Sequence, residues 1–137
     1  MADPTDKVRR GVKERDGERC VSCGTAWGLT YQHRQAASQG GAADYANGLA
    51  ACVVCNGRYE ADMQSLALLN GWKVRGWVDD PARVPYYHVA SNCWFAVAAD
   101  GPWRRRITRA EAVAMMRDVY GDGFLRGGRS GGGVLPR

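Results

Sequence analysis

Two Cys-x-x-Cys pairs, Cys20-Val-Ser-Cys23 and Cys52-Val-Val-Cys55, flank the 28 residues from 24 to 51. No other feature limits the fold of this chain as strongly. Each pair can clamp one side of a tetrahedral thiolate site, and the span between them must leave that site and return to it. Four thiolates close the shell and leave no position open for chemistry. The expected cofactor is therefore a structural Zn²⁺ whose binding energy becomes folding energy. A thioredoxin-like redox site fits poorly, because the pair occurs twice and no βαβ context surrounds either copy. The fifth cysteine, Cys93, stands in an apolar stretch and reads as a small buried hydrophobe. An odd cysteine count behind a start with no apolar signal region argues against a disulfide framework.

The rest of the chain reads as a mixture of helices and strands around this staple. Val8 and Val12, with Thr5 or Asp6 as N-cap, predict a helix over 5–15, and Gly17 suits the turn that follows. "GLTYQHR" reads as a strand, "QAASQGGAADYA" as a loop, and "NGLAACVVC" as a second extended piece. Tyr59, Met63, Leu66 and Leu69 predict one helix from Asn56, closed by Gly71. "WKVRGWV" reads as a strand. "YYHVA" and "CWFAVAA" form a hairpin across Ser91-Asn92. Thr108 and Glu111 make a capping box for a last helix. The expected fold class is α+β. A zinc module occupies 1–71, a β-rich extension ending in a helix follows at 72–121, and a Gly-rich disordered tail runs over 122–137.

No run of about 18 apolar residues occurs, so no membrane span is expected, and the chain reads as cytoplasmic. The net charge is +5. Through Glu60 there are 8 basic and 7 acidic residues, and beyond it 11 and 7, so most of the positive excess lies in the second half. A mild basic bias suits a phosphate-backbone partner but does not identify one. Arg34 and Arg58 flank the polar cluster between and after the cysteine pairs. They are candidate phosphate donors, with solvated arginines as the plainer reading.

That polar cluster carries a resemblance. "RDGERCVSCG", a strand bearing His33, Asn47 before an apolar step, and "CVVCN" together resemble the HNH (ββα-metal) endonuclease family over residues 8 to about 65. "QHRQAASQGG", "DDPARVP" and "CWFAV" are similar to a zinc-stapled Gln-His-Arg branch seen in actinobacteria and their phages. The resemblance implies an HNH-like ββα module that cleaves DNA phosphodiesters with little sequence specificity. His33 would be the general base, and neutral imidazole near pH 7 suits that role. Gln32 and Asn56 would ligate a divalent cation, Mg²⁺, Mn²⁺ or Ni²⁺, through amide oxygens. Asn47 would fix the loop and orient the histidine. Adjacent strand residues face opposite ways, so Gln32 and His33 can share one face only if the strand is twisted or bulged. Asp44 and Glu60 are reserve carboxylates.

The expected partner is DNA. The resemblance also suggests a phage packaging or host protein. The alternative from another class is a zinc-stapled scaffold that binds DNA or protein without cutting. In the second half, "WRRRITR" with Trp94 and Trp103 could lie beside nucleic acid, or the tryptophans could fill the core. His88 reads as a sheet residue, and Arg126, Arg129 and Arg137 stud the tail.

Overall fold

The computed structural model describes residues 3–124. Helix α1 spans Asp6–Arg15, and the Thr5 hydroxyl accepts from the Val8 N–H at 3.2 Å. Its buried residues Gly11, Val12 and Arg15 recur at helical spacing and face the first hairpin. After Gly17 and Glu18, both at positive φ (72° and 54°), the chain enters the first cysteine pair.

Strand β1 (Leu29–His33) pairs antiparallel with β2 (Gly48–Cys52). The register runs without interruption from Leu29↔Cys52 to His33↔Gly48. The Val21 N–H donates to the Ala50 carbonyl at 3.0 Å and fastens the cysteine knuckle to this hairpin. Helix α2 is Val53–Tyr59 and starts three residues before the expected Asn56, because Cys52 is its N-cap, with Sγ accepting from the Cys55 N–H at 3.4 Å. The single helix expected beyond Asn56 is two. The Arg58 carbonyl accepts from both Ala61 and Met63, and this turn separates α2 from α3 (Gln64–Leu69). The break lets Tyr59, Met63, Ala67 and Leu69 all enter the core.

Residues 72–78, expected as a strand, are irregular. Trp72, Val74 and Val78 are buried there, but among the described residues no neighbouring strand takes up their backbone groups. The Val74 N–H donates to the Arg34 carbonyl, and the carbonyls of Arg75, Gly76 and Val78 accept from the Gln35 side chain. The second sheet has order β3-β4-β5, formed by Tyr86–His88, Cys93–Val97 and Arg104–Ile107, all antiparallel. Asn92, at φ 53°, turns β3 into β4. Helix α4 (Arg109–Tyr120) covers this sheet and starts at the predicted Thr108–Glu111 capping box.

The fold is thus α+β. One apolar cluster runs from Cys20 and Leu49 through Trp72 to Trp94 and Met116, so the boundary expected at residue 71 does not separate two cores. Most of the tail expected over 122–137 lies outside the described residues. Among the described residues, no helix is long and apolar enough to cross a membrane.

Candidate functional site

The four cysteine sulfurs come together. The ligand atoms of Cys20, Cys23, Cys52 and Cys55 all lie within 4.8 Å of one another, and Cys23 and Cys52 Sγ are 3.8 Å apart. A tetrahedron with Zn–S near 2.3 Å has edges of about 3.8 Å, so this donor set fits zinc. The knuckle after α1 supplies two ligands, the end of β2 the third, and the first turn of α2 the fourth. Without a cation the four thiols could not ionise together. Burial pushes Cys55 up to about 12, helped by the charge of Cys20. At Cys20 burial acts in the same direction, but hydrogen bonds from Ser22 and nearby backbone N–H groups outweigh it and hold the thiol at about 7. A dication would remove that conflict. Ser22 also bonds the Tyr59 hydroxyl at 2.6 Å, a supporting contact that the sequence did not signal. Cys93 lies apart, buried in β4.

At the other end of the hairpin, Gln32 and His33 point to opposite sides. The regular register contains no bulge, so they do not meet on one face. Gln32 is buried, pairs with Leu49, and donates its amide to the His33 carbonyl at 2.9 Å. Leu49 shares the core with Cys55 and Tyr59, which places Gln32 on the α2 side of the hairpin. Asn56 is half-buried on α2 and hydrogen-bonds to neither Gln32 nor His33. His33 lies on the α1 side with Tyr31, whose ring meets the imidazole edge-on at 5.0 Å. The imidazole is half-buried, and its Nε2 is buried without a hydrogen-bond partner among the described residues. Gly48 leaves room for Tyr31, since a Cβ there would lie 2.1 Å from the ring.

Asn47 fixes the loop that follows His33. Its Oδ1 accepts from the Gln35 N–H at 2.8 Å, and its amide donates to the carbonyls of Gln35 (2.9 Å) and Ala42 (2.8 Å). The Arg34 N–H donates to the Asn47 carbonyl at 2.8 Å, one residue beyond the histidine. Asp44 caps the Asn47 N–H at 2.8 Å, and Glu60 pairs with Lys73.

Arg34 corrects its expected role. It is fully buried, and its five N–H donors go to the carbonyls of Gly71, Ala46, Pro81, Val84 and Pro85. Burial pushes its guanidinium down to about 10, still charged at neutral pH. No donor remains for a phosphate. Arg58 stays at the surface and is held by Asp62 at 2.9 Å.

A second buried network also went unread in the sequence. Asp16 accepts from Arg15 Nε (2.9 Å), the Ala50 N–H (2.9 Å) and the Tyr86 hydroxyl. Arg104 reaches that hydroxyl at 2.9 Å, and His88 Nε2 donates to the Asp16 carbonyl at 2.8 Å. These bonds join α1 and the first hairpin to the second sheet.

The fold and the cysteine cluster define a small α+β protein with a four-thiolate centre able to hold structural zinc. Comparison with known protein families, curated proteins and solved structures finds no match to this chain.

Proposed function

We propose that this protein is a metal-dependent DNA endonuclease built on an HNH-like ββα module, with His33 as general base and Zn²⁺ held by Cys20, Cys23, Cys52 and Cys55. One observation carries the reading: a half-buried imidazole at the end of β1, with neither ring nitrogen hydrogen-bonded among the described residues, stands beside a loop pinned by Asn47. Nε2 is buried, so the nitrogen that takes a proton from water would be Nδ1, on a strand held fixed. Gln32 and Asn56 belong to the α2 side, so a scissile phosphate would lie across the strand end, between the amides and the imidazole. A divalent cation, Mg²⁺, Mn²⁺ or Ni²⁺, would polarise the phosphate from the amide side.

The shell would hold two amides and no carboxylate, and Gln32 is buried on the face of β1 opposite His33. That observation favours a second reading: a zinc-stapled scaffold that binds DNA without cutting it. Supercoiled plasmid incubated with each cation separates the two. Nicking by the wild type that disappears in His33→Ala supports the enzyme. A gel shift with no nicking under any cation leaves only the binding scaffold.

A further inference from the structure

We propose that the cleft between α1 and β1 is a phosphate-binding site for the DNA backbone, with Arg9 and Lys13 as its cations. The cleft holds about 420 Å³ and is lined by Arg9 and Lys13 on one wall and by Leu29, Thr30, Tyr31 and His33 on the other, with Asp3 and Pro4 completing it. Arg9 and Lys13 are four residues apart on α1 and so emerge on the same flank, one turn above the other. Leu29, Tyr31 and His33 alternate along β1 and share the facing side.

Both cations are available. Lys13 has no hydrogen-bond or ion-pair partner among the described residues. Among the described residues Arg9 pairs only with Asp6 at 3.5 Å, with side chains 46% and 92% exposed, a contact that water screens. A phosphate offers the guanidinium a bidentate partner in its place. The Leu29 and Tyr31 walls limit solvent on one side of the cleft, which strengthens a charged contact. Of the arginines expected to do this work, Arg34 has no free donor, and Arg58 is held by Asp62 through two hydrogen bonds at 3.1 and 2.9 Å, closer than the single 3.5 Å contact of Arg9.

The inference rests on the nucleic-acid reading of the site, not on cleavage, and the test keeps the two apart. A short labelled DNA duplex is titrated by fluorescence anisotropy at several salt concentrations, with no divalent cation added. Three proteins are compared: wild type, Arg9→Gln/Lys13→Gln, and Arg83→Gln/Arg117→Gln, which loses equal charge away from the cleft. Zinc content and thermal melting establish that each is folded. Losing two phosphate contacts should make the slope of log K against log salt shallower by about 1.8, at ~0.9 per contact. The Arg83/Arg117 variant should keep the wild-type slope. The inference is overturned if the α1 variant retains the wild-type slope, if both variants lose the same amount, or if the wild type binds no duplex. Binding through α1 by a protein that shows no nicking under any of the three cations would sustain this site and end the endonuclease reading.

Discussion

Arg34 and Asp16 are charged residues with no exposed side-chain surface, yet each is satisfied in a different way. Asp16 is paired with a cation, Arg15, at 2.9 Å. Arg34 has no carboxylate among its hydrogen-bond partners and is surrounded instead by five carbonyl oxygens from Ala46, Gly71, Pro81, Val84 and Pro85. A planar guanidinium has five donors in a fixed fork, whereas an ammonium has three. Arg34→Lys should therefore lose at least two of these bonds; the Pro81 carbonyl keeps the Val84 N–H, so at least one buried carbonyl is left without a donor. At about 1–3 kcal/mol for such a group, the loss should be at least about 1–3 kcal/mol. Urea unfolding should show it as a lower midpoint, and an unchanged midpoint would show that the fork is dispensable. Neither residue could be recognised from local sequence. "QHR" places Arg34 beside the candidate base, where an exposed arginine would suit phosphate, and its true partners come from as far away as Pro85. Cys20, Cys23, Cys52 and Cys55 were legible because thiolate pairs carry their own geometry in their spacing.

At the scale of elements, what the sequence made legible was local. Thr5 and Thr108 are caps, and both start the helices they predict. Turn residues located the β3–β4 hairpin, and the strand and extended piece expected at "GLTYQHR" and "NGLAACVVC" pair as the first. The segment 72–78 misled because its alternating apolar residues are buried by loop packing. Its backbone partners include the side chain of Gln35 and the carbonyls of Arg34 and Ala67, which no pattern within the segment could reveal. The β3–β4 hairpin has a comparable tie. His88 Nε2 donates to the Asp16 carbonyl, and its Nδ1 accepts from Ser91 at the turn. Burial, with the charges of Arg104 and Arg15, lowers the pKa of His88 below the ordinary value near 6.5. The unfolded chain then binds the proton more readily than the folded one. The stabilisation is complete above about 6.5 and is lost as pH falls from there through the folded value. Melting temperature should drop on acidification across this window. His88→Gln should flatten that dependence, and an unchanged acid slope in the variant would remove His88 as its source.

Across the whole molecule, the sulfur cluster and the apolar core act together. Cys20, Cys52 and Cys55 belong to the same buried cluster as Trp72, Trp94 and Met116, so losing the staple should reach the second sheet. Metal analysis should find about one zinc per chain. A strong chelator should abolish the cooperative melt of the entire chain, including the tryptophan signal from Trp94. Persistence of a native-like melt after the metal has been removed would show that the core stands without it. The cluster in the first half was legible, but its continuity with the second was not, because Asp16, Arg34 and Tyr86 join elements by contacts that span tens of residues. The carbonyl cage of Arg34 also has an evolutionary consequence. Backbone oxygens are indifferent to the side chains of the residues that supply them, so Ala46, Pro81, Val84 and Pro85 can drift without altering what they offer the guanidinium. Gly71 cannot, since a Cβ there would lie 1.8 Å from the Pro85 oxygen. Selection on that cage should fall on two positions, Arg34 and Gly71, while Ala46 and Val84 answer instead to their packing in the apolar core.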